Sequence, residues 1–314
     1  MHVDCSTATM RWVKDQLGDG EEITAVAELR GGWTSRMRRL EISGPLGTRS
    51  LVLRSFVSDF FRGHADGLLS REAAVLELLK PTPVPAADLI AVDAEGNYCD
   101  DPSLLMSMLP GRVELSDDDP APRIDLLAAQ LVAIHRVEIA DHSRPRTYQP
   151  WTSAETVRVP ERTNRPGLWR RAIDGIRQEP PPHNACFLHR DFHPGNVLFA
   201  TQDGEPRISG VVDWVETSWG PADLDVAHCS TALALLHGPA AGMTFADQYV
   251  AAGGRLAAAP GDHLYWRLLD SLAFAPDAEK VAMPWRDVGR SDLTPSLLEG
   301  RLEDYLAAVL DHFG

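Results

Sequence analysis

The chain has 314 residues, 44% of them hydrophobic and 24% charged, so it is long enough to form two lobes with sizeable apolar cores. Its formal net charge of −15 argues against nucleic acid as a partner, because binding a phosphate backbone needs clustered lysine and arginine. The same charge is compatible with a cationic small molecule. The cysteines lie scattered without a C-x-x-C pair, and the N-terminus has no apolar h-region. We therefore expect free thiols, no membrane span and a cytoplasmic location.

The first third of the chain has the pattern of a sheet with little helix. A short helix is expected within residues 1–20, where apolar residues recur on one face. Compact apolar runs after it indicate strands. These runs lie at residues 23–30, 36–43, 50–57, 89–92 and 104–108.

A glycine turn separates the first two predicted strands. It reads Gly31-Gly32-Trp33-Thr34-Ser35. Glycine lets the backbone approach a ligand closely, and exposed amides there can donate to a phosphate. A plain hairpin would also explain the two glycines.

The next helix is predicted to begin at Ser70 as its N-cap and to end before Pro81. Glu72 falls on the apolar stripe of this helix, where an unpaired carboxylate would be costly. Arg54, on the third strand, is the predicted partner. The alternative is that Glu72 only interacts with the dipole of the first helical turn.

The remainder of the chain is mainly helical in pattern. Helices are predicted at residues 124–137, 226–236 and 244–314. Residues 140–185 are rich in Pro, Arg and Thr and contain one predicted helix, LWRRAIDGI. Their length and composition predict an insertion over a cleft rather than part of a core. Near the C-terminus, Trp266 and Asp270 could hold a cationic ring by stacking and charge, or could simply pack and pair locally.

Residues 187–213 concentrate the polar chemistry of the chain. Two short strands are predicted at 197–200 and 208–212, joined by a turn at Asp203-Gly204. Polar side chains precede the first strand and follow the second. They belong to His189, Asp191, His193, Asn196 and Asp213. A tight hairpin would bring its two ends together.

Two carboxylates and an amide suit phosphoryl transfer. One carboxylate can orient and deprotonate an attacking hydroxyl. The other carboxylate and the amide oxygen can hold Mg²⁺ against nucleotide phosphates. Metal-dependent hydrolysis is disfavoured, because the histidines lack ligand spacing such as H-E-x-x-H.

The loop itself has a family resemblance. His189-Arg190-Asp191, with Asn196 five residues after the aspartate, resembles the H-R-D-x-x-x-x-N loop of protein kinases. The fuller string HRDFHPGNVL, followed by VVDW, resembles the aminoglycoside phosphotransferase family of kinase-like small-molecule kinases. That family usually reads H-G-D-x-H-x-x-N, so Arg190 is a departure. The later GPADLDVA is similar to the family's G-x-P…D-L-A segment.

The resemblance implies an α+β, protein-kinase-like fold with two lobes. An N-terminal β-sheet lobe for the nucleotide is expected at 1–109, with a hinge at about 104–110. A larger, mainly helical lobe for catalysis and substrate is expected at 110–314. The nucleotide would bind in the cleft between them.

The resemblance also implies roles for individual residues. Asp191 would orient and deprotonate the acceptor hydroxyl, with His189 and His193 beside it in the catalytic group. Asn196 and Asp213 would hold Mg²⁺. The nucleotide site would comprise Gly31, Gly32, Thr34, Ser35, Arg54, Glu72, Met106 and Met108.

Two of these assignments need a choice between alternatives. Arg54 stands where the family usually has lysine; it keeps the charge but is not an equivalent side chain. Asp225 is expected to brace the catalytic loop by accepting backbone N–H bonds. Asp223 lies two residues away, and Asp225 is preferred because it precedes Val-Ala in the predicted helix.

The implied activity is Mg-dependent transfer of the γ-phosphoryl of ATP or GTP to a hydroxyl of a small molecule. The favoured acceptor is an antibiotic, an aminoglycoside or a macrolide. A metabolite such as a sugar, an amino alcohol or a homoserine-like compound is the second acceptor class. A nucleotide-binding pseudokinase that acts as an interaction module is the alternative outside enzymes. No nucleic-acid or membrane partner is expected.

Overall fold

A computed structural model describes residues 7–29, 35–275 and 278–314. The chain forms two compact units. The first comprises Met1–Gly111 and Ser209–Glu216, and the second comprises Arg112–Ile208 and Thr217–Gly314. None of the helices in the described ranges is long and apolar enough to cross a membrane.

This division differs from the predicted one by two residues at the boundary, which falls after Gly111 rather than after residue 109, and in one separate segment. Ser209–Glu216 groups with the first unit, although the sequence placed it in the second lobe. The Val211 N–H donates to the Pro85 carbonyl at 2.8 Å, and the Ser209 hydroxyl donates to the Pro110 carbonyl at 2.7 Å. These bonds explain the grouping, because they tie the segment to the end of the N-terminal region.

A five-stranded antiparallel sheet dominates the first unit, with the strand order β1-β2-β3-β5-β4. The strands are β1 (Glu22–Leu29), β2 (Arg36–Gly44), β3 (Gly47–Ser55), β4 (Leu89–Asp93) and β5 (Ser103–Ser107). Leu51 and Leu53 on β3 pack with Leu40 and Ile42 on β2 in one core cluster. Arg54 follows Leu53 and therefore lies on the opposite face of the sheet.

The helices of the first unit are α1 (Ala8–Asp15), α2 (Asp59–Arg62) and α3 (Ala65–Leu79). The prediction that α3 begins at Ser70 is wrong. The helix begins at Ala65, because the buried side chains of Ala65 and Leu69 extend its apolar stripe towards the N-terminus. Ser70 lies inside the helix, where its hydroxyl donates to Oδ1 of Asp66 at 3.1 Å.

The second unit is mainly helical. Its helices are α4 (Ala121–His135), α5 (Pro166–Gly175), α6 (Ala222–His237), α7 (Pro239–Ala251), α8 (Pro260–Ala273), α9 (Glu279–Asp287) and α10 (Pro295–Phe313). Its strands are β6 (Arg112–Val113), β7 (Ala185–Leu188), β8 (Val197–Gln202), β9 (Glu205–Val211) and β10 (Ser218–Pro221). β7 pairs with β10, and a second small sheet has the order β6-β8-β9. The last residues of β9, from Ser209, belong to the first unit.

The predicted turn between β8 and β9 is confirmed. Asp203 and Gly204 have φ angles of 54° and 85°. Two successive positive φ values are what a type I′ hairpin turn requires, and Asp-Gly supplies them at low cost. The loop that carries the polar side chains therefore stands directly before β8.

The prediction that residues 140–185 form an insertion outside the core is wrong for α5. Trp169, Ala172 and Ile173 of that helix are buried in the main core cluster of the second unit. The Trp169 Nε1–H donates to Oε1 of Glu303 on α10 at 2.7 Å. Helical spacing of these apolar residues outweighs the polar composition of the segment around them.

Candidate active site

Arg54 lies at the centre of a buried charge cluster in the first unit. Its Nη1 donates to both carboxylate oxygens of Glu72 and to Oδ1 of Asp213, each at 3.0 Å. The predicted pair of Arg54 and Glu72 is therefore present, and Asp213 is a partner that the sequence did not suggest. Burial opposes the charged guanidinium, but Asp213 and Glu72 raise the pKa of Arg54 above its usual value. One cation thus faces two carboxylates, and burial raises the pKa of the Glu72 carboxyl despite the charge of Arg54.

Asp213 is the accessible member of this cluster. Its side chain is 30% exposed, whereas those of Arg54 and Glu72 are 4% and 2% exposed. Asp213 follows β9 with a φ of 66°, a left-handed conformation that is uncommon outside glycine. Helix α3 and strand β3 hold the buried pair, so the position of the guanidinium is set by two regular elements.

The predicted glycine turn falls largely outside the residues that the structure describes. Gly31, Gly32 and Thr34 lie in the undescribed stretch. Ser35 is buried, at 8% exposed, and its hydroxyl contacts Sδ of Met37 at 3.6 Å. The role of this turn in phosphate binding stays a prediction.

The two methionines of the predicted hinge differ in environment. Met106 is buried within β5, opposite Val52 of β3 and Leu89 of β4. Met108 is half-buried after the end of the strand, and its N–H donates to the Ser50 carbonyl at 3.2 Å. A nucleobase contact at these residues stays a prediction.

The catalytic loop in the second unit starts from β7 and is held by Asp225 on α6. The carboxylate of Asp225 accepts the backbone N–H of His189 and that of Arg190, both at 2.8 Å. Asp225 is completely buried, and Nε2 of His135 lies 3.2 Å from its Oδ2. Burial would raise the pKa of Asp225, but the bond from His135 holds it below its usual value. Asp223, the alternative brace, instead accepts the N–H of Ala257.

Asp191 is fixed through both oxygens of its carboxylate. Nδ2 of Asn196 donates to Oδ2 at 3.0 Å, and Nε2 of His228 lies 3.0 Å from Oδ1. The side chain keeps 31% of its surface exposed. Burial would raise the pKa of Asp191, but the bond from His228 and the charge of that ring lower it below its usual range. The carboxylate is therefore ionised and oriented.

His189 and His193 each accept a backbone N–H of the loop. His189 is fully buried, and its Nδ1 accepts the N–H of Asp191 at 3.2 Å. His193 caps the 3₁₀ turn Pro194–Asn196, where its Nδ1 accepts the N–H of Gly195 at 3.0 Å. Nε2 of His193 is 3.8 Å from the Asp191 carboxylate. Both rings thus shape the loop around Asp191.

The residues predicted to hold Mg²⁺ fit it chemically. The Asn196 amide nitrogen donates to the backbone carbonyl and carboxylate of Asp191, which directs the amide oxygen elsewhere as a possible ligand. Asp213 offers a partly exposed carboxylate. Oxygen donors of these two kinds are the ligands that Mg²⁺ prefers.

Sequence reasoning missed His228 entirely and left Asp270 among residues that could simply pair locally. Nδ1 of His228 lies 3.0 Å from Oδ1 of Asp270 on α8, and the Thr231 hydroxyl donates to Oδ2 of Asp270 at 2.7 Å. The sequence held only a weak signal for a role of His228. His228 follows Asp225 by three residues, so both point to one face of α6. Trp266 is in the core, at 1% exposed.

Arg190 links the catalytic loop to the 140–185 segment. Its φ of 73° costs about 1–2 kcal/mol for a residue with a side chain, whereas the glycine usual in the family would adopt it freely. Nη2 of Arg190 donates to the Gln149 carbonyl at 3.1 Å, and its guanidinium lies 4.4 Å from the centroid of the Trp151 ring. The side chain contacts thus offset the backbone strain.

An Arg190→Gly variant should therefore release the segment around Trp151 without unfolding the protein. Loss of one hydrogen bond and one cation–π contact should ease local opening by about 1–2 kcal/mol, or about tenfold in exchange rate. Amide hydrogen exchange of residues 149–158 measures this. The matched control is Arg144→Gly, which removes a contact with Trp219 instead. Unchanged exchange in the Arg190 variant, or equal acceleration in the control, would contradict the link.

The kinase-like class of folds is defined by three features. They are a unit with an antiparallel sheet, a larger helical unit and a loop of the H-R-D-x-x-x-x-N type. The prediction of this α+β fold is confirmed by solved structures. A thermostable mutant of aminoglycoside phosphotransferase APH(4)-Ia, solved with ADP and hygromycin B, matches with a TM-score of 0.60 and 16% identity, over 95% of this chain and 97% of that one. A mutant of aminoglycoside 2′-phosphotransferase-IIIa, solved with GDP, matches with a TM-score of 0.62 and 17% identity, over 98% and 99% of the two chains.

Sequence comparison gives the family. A model described as the phosphotransferase enzyme family matches residues 25–269, and the chain belongs to that family. Viomycin phosphotransferase of Streptomyces vinaceus is 30% identical over 183 residues, which are 54% of this chain. The match spans 62% of the length of that relative.

Proposed function

We propose that this chain transfers the γ-phosphoryl of a nucleoside triphosphate to a hydroxyl of a small molecule. The observation that carries the proposal is the carboxylate of Asp191. It is ionised, partly exposed and fixed through both oxygens on a loop of phosphotransferase type. A carboxylate held in this way can accept the hydrogen bond of an acceptor hydroxyl and orient its oxygen for attack.

The loop contributes positioning rather than covalent chemistry. Asp225 fixes the backbone on which Asp191 is mounted, and Asn196 fixes one of its oxygens. As the hydroxyl oxygen attacks the phosphorus, its proton passes to Asp191 and the nucleoside diphosphate leaves. Holding the reacting groups in this geometry removes much of the entropic barrier of a bimolecular reaction.

The nucleotide is assigned to the cluster of Arg54, Glu72 and Asp213 together with the predicted glycine turn at Gly31 and Gly32. Arg54, held by Glu72, supplies a cation for the phosphates, and Asn196 and Asp213 supply oxygen ligands for Mg²⁺. When bound, Mg²⁺ neutralises charge that develops on the phosphate oxygens. The ADP and GDP in the related structures support a purine nucleotide and leave ATP and GTP as equal candidates.

The acceptor is proposed to be an antibiotic with amino groups. Viomycin appears in the name of the curated relative, and hygromycin B is bound in one structural neighbour. The net charge of −15 suits a cationic acceptor, because an acidic surface raises its local concentration. The proposed partners are thus a nucleotide and a small hydroxylated cation, without nucleic acid or membrane.

An acceptor screen tests this proposal. Purified protein with Mg²⁺ and either ATP or GTP would be mixed with viomycin, hygromycin B, other aminoglycosides, a macrolide, sugars, amino alcohols and homoserine. We expect nucleoside diphosphate release that depends on an antibiotic from this set. Turnover with a metabolite alone would contradict the antibiotic assignment while leaving the reaction class intact. Nucleotide binding without turnover on any acceptor would favour a pseudokinase.

A further inference from the structure

His228 on α6 contacts the carboxylate of Asp191 and has no role in the functional assignments above. We propose that His228 is a positioning residue, which holds Oδ1 of Asp191 in the orientation needed for phosphoryl transfer. This inference rests on the proposed function, because Asp191 is the proposed base.

The ring of His228 bridges two carboxylates. Nε2 lies 3.0 Å from Oδ1 of Asp191, and Nδ1 lies 3.0 Å from Oδ1 of Asp270. A protonated imidazole can donate to both oxygens at once, whereas a neutral ring can donate to only one. Burial opposes the charge, but Asp270 and Asp191 raise the pKa of His228 to about 10.

The bridge is rigid on the side away from Asp191. Asp270 is 3% exposed, and its second oxygen accepts the hydroxyl of Thr231 at 2.7 Å. The Phe274 ring stacks on His228 at 5.7 Å between centroids, and the Trp151 ring lies edge-to-face at 5.1 Å. Packing on two sides and a fixed carboxylate leave the ring of His228 little freedom to move. The ring can therefore hold the carboxylate of Asp191 in one orientation.

Asp191, His193 and His228 lie close enough together that a metal site needs consideration. Nδ1 of His193 accepts the Gly195 N–H at 3.0 Å, which leaves the proton of a neutral ring on Nε2. Nε2 of His228 likewise carries the proton shared with Asp191. Both rings therefore direct N–H groups rather than lone pairs at the carboxylate, which fits positioning and not metal ligation.

Two side chains orient Asp191, each through one carboxylate oxygen. Asn196 holds Oδ2 and His228 holds Oδ1, so the carboxylate plane is fixed. Without the bond to Oδ1 the carboxylate can rotate about its last torsion. A displacement of about 1 Å in a reacting group can cost about 10²-fold in rate. The loss should fall on kcat, because Asp191, which His228 contacts, is assigned to the acceptor hydroxyl and not to the nucleotide.

The test compares His228→Gln with His228→Asn. The glutamine amide nitrogen stands close to the place of Nε2 and can still donate to Asp191. The asparagine amide reaches only the place of Nδ1, and so can donate to Asp270 alone. We expect His228→Asn to lose about 10²-fold in kcat and His228→Gln to lose about tenfold or less, with KM for the nucleotide unchanged in both. Equal kcat values in the two variants would overturn the proposal.

A second measurement does not depend on turnover. Imidazole ¹⁵N NMR of the full chain identifies the His228 signals as the pair lost in His228→Gln. Asp191→Asn should move the Nε2 signal and leave Nδ1 nearly unmoved. An Nε2 signal unaffected by Asp191→Asn would overturn the proposal. If the wild type shows no turnover with any acceptor, the proposed function fails, while this spectrum still decides whether His228 holds Asp191.

Discussion

An Asp191→Asn variant is expected to lose about 10²- to 10⁴-fold in kcat, the range that a positioned general base contributes. The amide has nearly the shape of the carboxylate but cannot take the proton of the acceptor hydroxyl. It also removes a negative charge that faces His228. The geometry of the site would be preserved, but the carboxylate that orients the acceptor hydroxyl for attack would be lost.

Steady-state kinetics at saturating nucleotide measure this loss, and nucleotide binding by calorimetry provides the control. Affinity for the Mg–nucleotide should change little, because the cluster of Arg54, Glu72 and Asp213 is untouched. The side chain of Asp191 is 31% exposed, so global stability should also change little. Full turnover in Asp191→Asn would refute the assignment of the base.

The largest expected effect on stability comes from Asp225→Ala. The carboxylate accepts two buried backbone N–H groups, from His189 and Arg190, and also contacts His135. Each N–H left without a partner costs about 1–3 kcal/mol, so the variant should be destabilised by about 2–6 kcal/mol. Urea unfolding followed by circular dichroism measures the difference.

The neighbouring Asp223→Ala is the matched control on the same helix. Asp223 accepts the single N–H of Ala257, at 3.2 Å and 3.3 Å to its two oxygens. Burial raises the pKa of Asp223, so its ionised form is already disfavoured in the folded protein. We expect its replacement to cost about 1–3 kcal/mol. An Asp225→Ala protein as stable as the wild type, or less affected than Asp223→Ala, would contradict the bracing role.

Contacts that follow from local periodicity could be predicted from the sequence. The helical spacing that puts Glu72 on the apolar face of α3 also demands a cation, and Arg54 meets it at 3.0 Å. The Asp203-Gly204 turn could be predicted because it needs two positive φ values. In both cases a short stretch of chain contains the physical cause.

Contacts between distant segments could not be predicted. His228 is 37 residues from Asp191 and 42 from Asp270. Nearly every residue of α6 is buried, so its sequence shows no polar face that would single out a functional side chain. Asp213, 159 residues from Arg54, reaches it only through the path of β9.

Predictions from composition or capping preference were wrong in two helices where the spacing of a few apolar residues determined the structure. The composition of residues 140–185 predicts an insertion, yet the helix predicted within it buries Trp169, which is 2% exposed. Ser70 looked like an N-cap, but the apolar stripe of α3 continues to Ala65 on its N-terminal side. Burial of a few regularly spaced side chains outweighed composition and capping preference in these two helices.

The most direct test of phosphoryl transfer is the balance of products from a single reaction. Purified protein would be incubated with Mg–nucleotide and the best acceptor from the screen, and both products would be quantified by mass spectrometry. We predict one phosphorylated acceptor molecule for each nucleoside diphosphate, with neither product formed when the acceptor or Mg²⁺ is withheld. Diphosphate and inorganic phosphate without a phosphorylated acceptor would show hydrolysis instead, and would contradict the proposed transfer.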